Sequence, residues 1–475
     1  MSASLARRAT FRDVFAVGEF RALWASQILS VGGDRLALVA LTLLVYDRTH
    51  SPLLAAVAYA AGYVPWVIGG LLLSGLADRL PRRQVMVTCD LIRAALVTVM
   101  LVPRMPVTGL IGLLYATTTF TAPFEAARSA ILPDVLKGER YALAAAILQT
   151  TIRMGIVVGA AVGGVTVALI GARSALGVDA VTFLASGVLV RFGTQARVAV
   201  AKSSPNALTQ LGGGVRLVFG DKALRTLLML GWLVALYEIP EGIAAPYAAR
   251  LGGGPVATGL VIASGQIGAV LITPVFTRKV GPLTRSRWMG PMAVCTCAVL
   301  VATICRPDLA ISMAIFALSG AFAIYQIAAN TAFVARVPNQ QRAQAFGLAN
   351  VGLVVGQGIA FMTGGAAAEV VPPSTVIAFA GGLSALIACG LALRWRDMSP
   401  AVGRHSARHL RGHAPLHRQA PVHAVRSRLG PNLRIGPRFR SKCRAWSFPS
   451  LFSAAVSLFL FILIPTGHAW CVLPS

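Results

Sequence analysis

Charged residues are scarce in this chain, and acidic residues are the scarcest of them. Charged residues make up 12% of the 475 positions, with only 16 Asp and Glu, whereas a soluble globular protein usually carries about 25% charged residues. Hydrophobic residues make up 56% and form long runs, comparable with the roughly 20 apolar residues that a helix needs to cross a bilayer. The runs are too long and too uniformly apolar for barrel strands. The composition therefore predicts an all-α membrane protein.

Sequence patterns of catalytic and cofactor sites are also missing. The chain has no Gly-x-x-x-x-Gly-Lys-Ser/Thr loop, which argues against ATP as the source of energy. Its seven cysteines show no zinc-ligand spacing, and His50 alone among the seven histidines precedes residue 405. We therefore expect no enzyme activity, no catalytic residues, no metal and no cofactor.

The net charge of +27 could suggest a nucleic-acid partner, but its distribution argues against one. The basic residues lie in short segments between apolar runs, or in the tail after Arg396. Such a pattern is typical of loops at a membrane surface.

Twelve apolar runs follow one another along the body of the chain. They fall at Leu23–Tyr46, Leu53–Ser74, Val85–Val102, Thr108–Thr121, Ala142–Ile170, Ala175–Val190, Leu224–Tyr247, Val256–Phe276, Trp288–Cys305, Leu309–Val334, Ala345–Ala368 and Thr375–Leu393. The fourth and the sixth are short. We predict about twelve spanning helices.

The basic residues between these runs predict an orientation. If the N-terminus is inside, the inside segments hold 24 Lys and Arg, and the outside loops hold five: Arg48, Arg104, Arg173, Arg250 and Arg306. The positive-inside rule then places both ends of the body in the cytoplasm. The first twenty residues have the character of a cytoplasmic lead-in to an uncleaved first helix.

The longest internal loop, at about 192–223, divides the chain into two halves. We predict an N-terminal six-helix half at 1–196, a cytoplasmic central loop at 197–223, a C-terminal six-helix half at 224–396 and a basic tail at 397–475. Apolar residues at 208–218 predict a short amphipathic helix in the loop. A basic start and a Gly-Gly end recur at 140–164 and 342–365, as expected of parallel repeats.

A cluster of charges lies between the second and third runs, in Gly75-Leu-Ala-Asp78-Arg79-Leu-Pro-Arg82-Arg83. It resembles the signature of the major facilitator superfamily, with Pro81 where the family has glycine. The resemblance implies a conformational latch on the cytoplasmic side, formed by Gly75, Asp78, Arg79, Arg82 and Arg83. A carboxylate at a helix end can meet the partial positive charge of a neighbouring helix N-terminus. An ordinary basic loop would explain the arginines but not Asp78.

Small residues form a stripe in the fifth run, at Gly155, Gly159, Gly163 and Gly164. It resembles the antiporter motif of the same superfamily, with Ala160 in place of the proline. Small residues spaced by four also pack helices in many other membrane proteins. The stripe is thus a helix-packing motif, and the Gly75–Arg83 resemblance favours the exporter interpretation.

Further matches are spread over the first half. The stretch Arg128–Asp134, with Glu139-Arg140, resembles the loop after the fourth helix in a drug- and siderophore-exporter branch, and Phe20–Ser30 resembles its opening. The chain is similar to enterobactin and macrolide exporters. The resemblance implies the major facilitator fold and efflux by alternating access.

Charged side chains within a span are costly, so each is a functional hypothesis. The candidates for proton coupling are Asp34, Arg153, Glu238, Glu241 and Asp179. Asp34 is near mid-span, and Arg153 is its candidate partner. Glu238 and Glu241 flank Pro240, either in a gating helix or in an outer water-filled vestibule.

Two further charges, Asp90 and Arg93, are three residues apart and can pair on one helix face. We assign them to the latch region as a structural pair. Aromatic and amide side chains are the candidates for a substrate cavity: Gln27, Tyr59, Tyr63, Trp66, Trp232, Tyr237, Tyr325, Gln326 and Asn330.

The tail differs from the body. From Met398 to Ser475 it has no Asp or Glu but eleven Arg or Lys and six His. It is a lipid-binding tail, a region with a thirteenth span at Phe448–Pro465, or the product of a shifted reading frame.

The favoured function is export of a small amphipathic molecule, such as a drug, an antibiotic or a siderophore, by proton antiport. Its partners are the substrate, protons and the lipid bilayer. We expect a monomer in the inner membrane of a bacterium. The alternatives are a facilitator for nutrient uptake and a non-transporting scaffold or sensor.

Overall fold

The computed structural model describes residues 9–197 and 207–412, and every regular element in these ranges is helical. Ten helices among them are long and apolar enough to cross a membrane. One of the ten, Glu139–Gly193, is broken at Gly171, where φ is 80° and ψ is 159°, so it forms two spans. A further helix, Arg82–Met100, has 19 residues but carries Asp90 and Arg93. Together they form the twelve spans that the sequence predicts.

We label the twelve spans α1–α12 in chain order. Their bounds are α1 Gly18–Thr49; α2 Pro52–Ala60 and Val64–Arg79; α3 Arg82–Met100; α4 Val107–Thr119 and Thr121–Val135; α5 and α6 Glu139–Gly193, divided at Gly171; α7 Lys222–Trp232, Val234–Tyr237, Ile239–Gly242 and Ala244–Arg250; α8 Pro255–Lys279; α9 Pro282–Ala298 with the 3-10 segment Val299–Cys305; α10 Leu309–Phe322 and Tyr325–Arg336; α11 Arg342–Val370; and α12 Pro373–Gly412. Short helices outside the spans are Phe11–Phe15, Ala207–Gly220 and Asn339–Gln341.

Polar caps explain where several spans begin. Ser51 accepts a hydrogen bond from Leu54 N at 3.1 Å at the start of α2. Asp221 accepts from Ala223 N and Leu224 N at the start of α7. These side chains satisfy amide groups that the first helical turn leaves without partners.

The outer surface of the bundle is apolar. Leu271, Phe379 and Leu386 are 67%, 71% and 74% exposed. Large apolar side chains exposed together on a soluble protein would form an aggregation-prone patch. On this bundle they are suited to contact with lipid.

Two boundaries differ from the sequence prediction. The fourth run was predicted to end at Thr121, but α4 continues to Val135. Arg128, predicted in the following loop, is therefore on a helix and only 6% exposed. A charge ended the apolar run in the sequence, whereas burial against neighbouring helices allows the helix to continue. The sixth span is also longer than its predicted run and ends at Gly193.

Contacts near the helix ends define the two ends of the bundle. At one end Arg82 pairs with Asp134 at 2.6 Å, and Glu19 pairs with Arg197 at 2.7 Å. We call this the basic end, because the Arg-rich segments lie there. At the other end, the far end, Arg48 donates to Met105 O at 2.9 Å.

The two six-helix halves, α1–α6 and α7–α12, meet closely at the far end. Glu369 of α11 accepts hydrogen bonds from Ser51 Oγ and from Leu53 N at the start of α2. Gly164 of α5 lies against α8, where a Cβ on Gly164 would be 2.5 Å from Pro255 O and 3.1 Å from Gly259 Cα. The halves are thus closed against each other at the far end.

The predicted helix of the central segment is present as Ala207–Gly220. It packs against the first turns of α11, where Gly214 lies close to the backbone of Gln344. The Phe448–Pro465 run and most of the tail lie outside the described residues.

Candidate functional site: a cavity between the two halves

A cavity of about 950 Å³ lies between the halves. Helices α1, α2 and α5 form one wall, and α7, α8, α10 and α11 with Leu300 of α9 form the other. The lining reaches Pro274 of α8 and Phe346 of α11, each within about a turn and a half of the basic end. In the opposite direction it ends near Glu241 and Val261, short of the far-end contacts. A cavity of this size is in the range of small-molecule sites.

Glu238 and Glu241 lie at the inner limit of the cavity, on a broken stretch of α7. The helix is interrupted at Leu233, Glu238 and Ile243, on both sides of Pro240. Proline removes a backbone donor and crowds the preceding turn. The sequence prediction of a weakened backbone at this place is confirmed.

Neutral donors surround both carboxylates. Glu238 accepts from Gln357 Nε2 at 2.5 Å and from Gln266 Nε2 at 3.5 Å. Glu241 accepts from Gln266 Nε2 at 3.2 Å and from Tyr59 Oη at 2.9 Å. Because Tyr59 belongs to α2 and Glu241 to α7, the latter bond joins the two halves directly.

An aromatic cluster adjoins this bond. Tyr59 and Tyr63 of α2 contact Phe361 of α11 edge-on, with ring centroids 5.2 and 5.1 Å apart. The guanidinium of Arg35 lies 5.9 Å from the centre of the Tyr63 ring. Such contacts contribute to stability beyond the area that they bury. Because Tyr59 of α2 contacts both Phe361 of α11 and Glu241 of α7, these three side chains close the cavity toward the far end.

A second charged cluster lies within the N-terminal half, outside the cavity lining. Arg93 is fully buried and binds Asp34 at 2.5 Å, Ser30 Oγ at 3.0 Å and Asp90 at 3.4 Å. Its guanidinium also stacks 3.9 Å from the centre of the Phe183 ring. The predicted Asp90–Arg93 pair is present, and Asp34 is held by the same arginine.

Asp179 completes this cluster from α6. It is 1% exposed and lies against Gly33, next to Asp34 in sequence. Its hydrogen-bond partner among the described residues is Thr182, at 3.3 Å from Oδ1, while Oδ2 has none. A buried charge without a paired cation is costly, so the neutral, protonated form of Asp179 suits this site.

Arg153 does not pair with Asp34, in contrast to the sequence-based suggestion. It is exposed on the cavity wall, whereas Asp34 is turned toward α3 and Arg93. Helix spacing explains the difference, because α3 presents Arg93 to α1 on the side away from the cavity. The sequence could not show which of two arginines would face Asp34.

The cavity candidates divide into two groups. Tyr63, Trp232, Tyr237, Gln326 and Asn330 line the cavity. Gln27 and Tyr325 do not: both are buried in helix packing, with the Tyr325 hydroxyl donating to Leu230 O at 2.9 Å. Their position inside an apolar run made them resemble lining residues, but the faces that they occupy point between helices.

The described latch residues lie at the basic end. Arg82 binds Asp134 and Ala130 O, both at 2.6 Å, and Arg83 donates to Thr194 O at 3.1 Å. Nearby, the hydrogen bond with Glu19 raises the pKa of Arg197. The side chains of Asp78 and Arg79 and the surroundings of Gly75 lie outside the described part of the structure.

The glycine stripe of α5 faces two neighbours. A Cβ on Gly155 or Gly159 would lie 2.7 Å from Val31 or Arg35 of α1, and one on Gly163 would meet Val39 at 3.4 Å. Gly164 faces α8 instead. The stripe allows α5 to approach α1 within its own half and α8 across the halves.

Three polar residues of the site escaped the sequence analysis: Arg35, Gln266 and Gln357. Arg35 directly follows Asp34 in the sequence, and adjacent helical residues point about 100° apart, so a different face of α1 presents it to the cavity. The glutamines are amides within apolar runs, where a polar group is costly unless it has a partner. Their presence in such runs could have identified both as candidate site residues from the sequence alone.

The sequence model of the Major Facilitator Superfamily matches residues 23–304 and 242–469 of the chain. The chain belongs to the major facilitator superfamily. It is therefore a membrane transporter rather than an enzyme, and the predicted family membership is confirmed.

Two curated relatives of this superfamily are similar over part of their length. An uncharacterized MFS-type transporter, YkuC of Bacillus subtilis, is 29% identical over 184 residues, which cover 38% of this chain and 42% of YkuC. Macrolide efflux protein A of Streptococcus pyogenes is 22% identical over 228 residues, covering 47% of this chain and 56% of that protein. The matched part thus spans about half the length of these relatives.

Solved structures of the major facilitator fold superpose on most of the chain. A POT family transporter in complex with a thioalcohol-conjugated peptide has a TM-score of 0.64 at 12% identity, covering 81% of this chain and 96% of that one. A bacterial homologue of the iron transporter ferroportin has a TM-score of 0.61 at 15% identity, covering 79% and 98%. At this identity the likeness establishes the fold alone.

Proposed function

We propose that this transporter exports a small amphipathic molecule in exchange for protons. The observation that carries the proposal is the Tyr59–Glu241 hydrogen bond, which links a proton-carrying group to the contact that closes the cavity. The similarity to macrolide efflux protein A supports the direction of transport.

The proposed orientation places the basic end in the cytoplasm. The excess of Lys and Arg in its segments supports this assignment. With that orientation the cavity extends toward the cytoplasm and is closed toward the outside. This is the state in which an exporter collects its substrate.

Glu238 and Glu241 are the proposed site of proton exchange. Both are hydrogen-bonded by neutral donors, so each can be charged or neutral without losing all of its partners. An ionised Glu241 accepts from Tyr59 and holds the halves together. A protonated Glu241 can still share a hydrogen bond with the Tyr59 hydroxyl, so the halves can also close around the neutral form, through a weaker contact.

In the proposed cycle, bound substrate opens the far end, and Glu241 takes up a proton from outside after the substrate has left. The neutral form then returns to the state closed at the far end, where proton release to the cytoplasm restores the charge-assisted bond with Tyr59. Asp34 and Asp179, in the cluster around Arg93, are proposed as further groups that change charge during the cycle. Arg93 is within reach of both Asp34 and Asp90 in the present state.

The test is transport in inverted membrane vesicles that contain the protein. A panel of fluorescent drugs, macrolides and siderophores is offered with and without a proton gradient. We expect at least one compound to accumulate only with the gradient, and accumulation to stop when a protonophore is added. Accumulation that does not respond to the protonophore would favour the proton-independent facilitator, and no movement of any compound would favour the scaffold or sensor.

A further inference from the structure

We propose that the cavity contains an anion-binding site centred on Arg153, and that the preferred substrates are amphipathic organic anions. This inference rests on the proposed transport function and narrows its substrate class.

Arg153 lies close to the middle of a span. It is the fifteenth residue of α5, about 21 Å along the helix from Glu139. An arginine at this depth is too far from either end for its side chain to reach the membrane surface easily. A charge at mid-membrane is costly, and it usually faces a water-filled cavity or a partner.

Arg153 faces the cavity and has no ion-pair or hydrogen-bond partner among the described residues. It is exposed and lines the cavity. Among the ion pairs and hydrogen bonds of the described residues, none involves Arg153. Its five N–H donors are thus available to a ligand.

The acidic and basic residues of the cavity differ in how many protein partners they have. Its four charged lining residues are Arg35, Arg153, Glu238 and Glu241. The two glutamates accept four hydrogen bonds from glutamine and tyrosine side chains. Neither arginine forms an ion pair among the described residues, but Arg35 has Glu241 as an electrostatic partner and the Tyr63 hydroxyl as a hydrogen-bond partner. The unmet demand for negative charge in this cavity therefore lies at Arg153.

The two arginines also share one wall. Arg35 of α1 packs against Gly159 of α5, where a Cβ on the glycine would lie 2.7 Å from Arg35 Cβ. Gly159 is six residues after Arg153 on the same helix. The N-terminal half therefore presents positive charge to the cavity, and the C-terminal half presents the hydrogen-bonded carboxylates.

The remaining wall suits an apolar body with polar edges. Trp232, Phe316 and Phe346 provide rings, and Gln326, Asn330 and Asn350 provide amides. A planar molecule with a carboxylate could place its charge at Arg153 and its rings against this wall. Guanidinium and carboxylate match in geometry and can form two parallel hydrogen bonds.

Two dyes with the same tricyclic body test the charge preference. Fluorescein is an anion at neutral pH and rhodamine 123 is a cation, and both report binding by fluorescence anisotropy. The full-length protein in lipid nanodiscs is titrated with each dye at neutral pH. For the wild type we expect fluorescein to bind at least about tenfold more tightly than rhodamine 123. The reason is that the anion can form a charge-assisted hydrogen bond with Arg153, which the cation cannot form.

Variants assign the preference to Arg153. With Arg153→Gln we expect fluorescein affinity to fall by about 10- to 100-fold, whereas rhodamine 123 affinity stays within about threefold. Arg153→Lys keeps the charge and should restore most of the fluorescein binding. Arg173→Gln, at an arginine of α6 that does not line the cavity, is the matched control and should change neither dye.

Three results would overturn the proposal. They are no saturable fluorescein binding to the wild type, equal binding of the two dyes, and an equal loss of both dyes in Arg153→Gln. Because equilibrium binding needs no proton gradient, a failure of the vesicle assay would sink the proposed antiport without affecting this result.

Discussion

At the scale of single residues, Glu241 combines two properties that are rarely found together. It is 8% exposed at the limit of the cavity, and it accepts a hydrogen bond from the other half of the protein. A group that changes charge at such a contact can couple proton binding to the movement of the halves. Neither property alone would do so.

Glu241→Gln tests this coupling. Glutamine keeps the size of the side chain but carries no exchangeable acidic proton, so we expect gradient-driven export to fall by about tenfold or more. Exchange of substrate down its own gradient should continue, because the cavity remains. Asp308→Asn is the matched control, since Asp308 only caps α10 and asparagine caps as well as aspartate. Full uphill export by Glu241→Gln would remove this residue from the mechanism.

Asp34→Asn tests the cluster around Arg93. We expect uphill export to be lost while the protein still reaches the membrane, because Asp34 makes the shortest contact with the buried arginine. Loss of a hydrogen bond to a charged group should also lower the stability by about 1–3 kcal/mol. Vesicle transport and a thermal melt are the measurements.

Asp47→Asn on the same helix is the control, since Asp47 is exposed near the far end. Normal active efflux by Asp34→Asn would show that the cluster is structural only.

At the scale of helices, one close approach between the halves depends on residues without side chains. Gly164 and Gly259 allow α5 and α8 to touch, and each occupies the space that a Cβ on the other would need. Tight packing of small residues is a main source of association between helices in lipid. The far-end closure is therefore sensitive to a single added side chain.

Gly164→Val should disfavour the state that is closed at the far end. Overpacking typically costs about 1–3 kcal/mol, enough to shift a balanced equilibrium by roughly tenfold. Cross-linking between cysteines placed at Ser51 and Glu369, which contact each other in this state, measures the closed fraction. Gly112→Val on α4 is the control, because a Cβ there meets nothing within 4 Å. An unchanged cross-linking yield would show that this contact does not hold the closure.

Most of the helices could be predicted from the sequence because each apolar run must satisfy its backbone within itself. The errors came where charge and apolarity disagree. Arg128 ended a predicted span but is buried within α4. Asp90 and Arg93 give α3 a polar character, which is stabilised because Arg93 pairs with both Asp34 and Asp90. Local sequence does not record which helix will bury a charge.

The site was less predictable, because its geometry depends on contacts between distant segments. Tyr63, Trp232 and Asn330 were found as polar or aromatic positions in apolar runs. The Tyr59–Glu241 bond joins residues 182 positions apart, and the choice of Arg93 over Arg153 as the partner of Asp34 is set by the packing of α3. The hydrophobic periodicity of a single helix predicts neither of these two contacts.

At the scale of the whole molecule, the candidate spans and the cavity lie within the first 400 residues. The compact unit that ends at Pro400 holds α1–α11 and the apolar part of α12, since the last candidate span is Pro373–Met398. Its 26 residues exceed the roughly 20 that cross a bilayer. The cavity lining lies entirely between Arg35 and Gln357. The tail thus contributes no described residue to the site.

Deletion of everything after Met398 should therefore leave transport intact, with vesicle uptake per molecule of protein unchanged. Deletion after Leu386 is the control: it removes about half of the last span and should abolish insertion or activity. The match of the family model extends to residue 469, so the experiment also asks whether that similarity reflects a working element.

A check on the gene sequence precedes the truncation experiment. In a GC-rich gene the third codon position should be richest in GC, and a move of this peak to another position near codon 400 would mark the tail as out of frame. A peak that stays in register to the stop codon, together with loss of transport on truncation at Met398, would show that the tail is a functional part of the transporter.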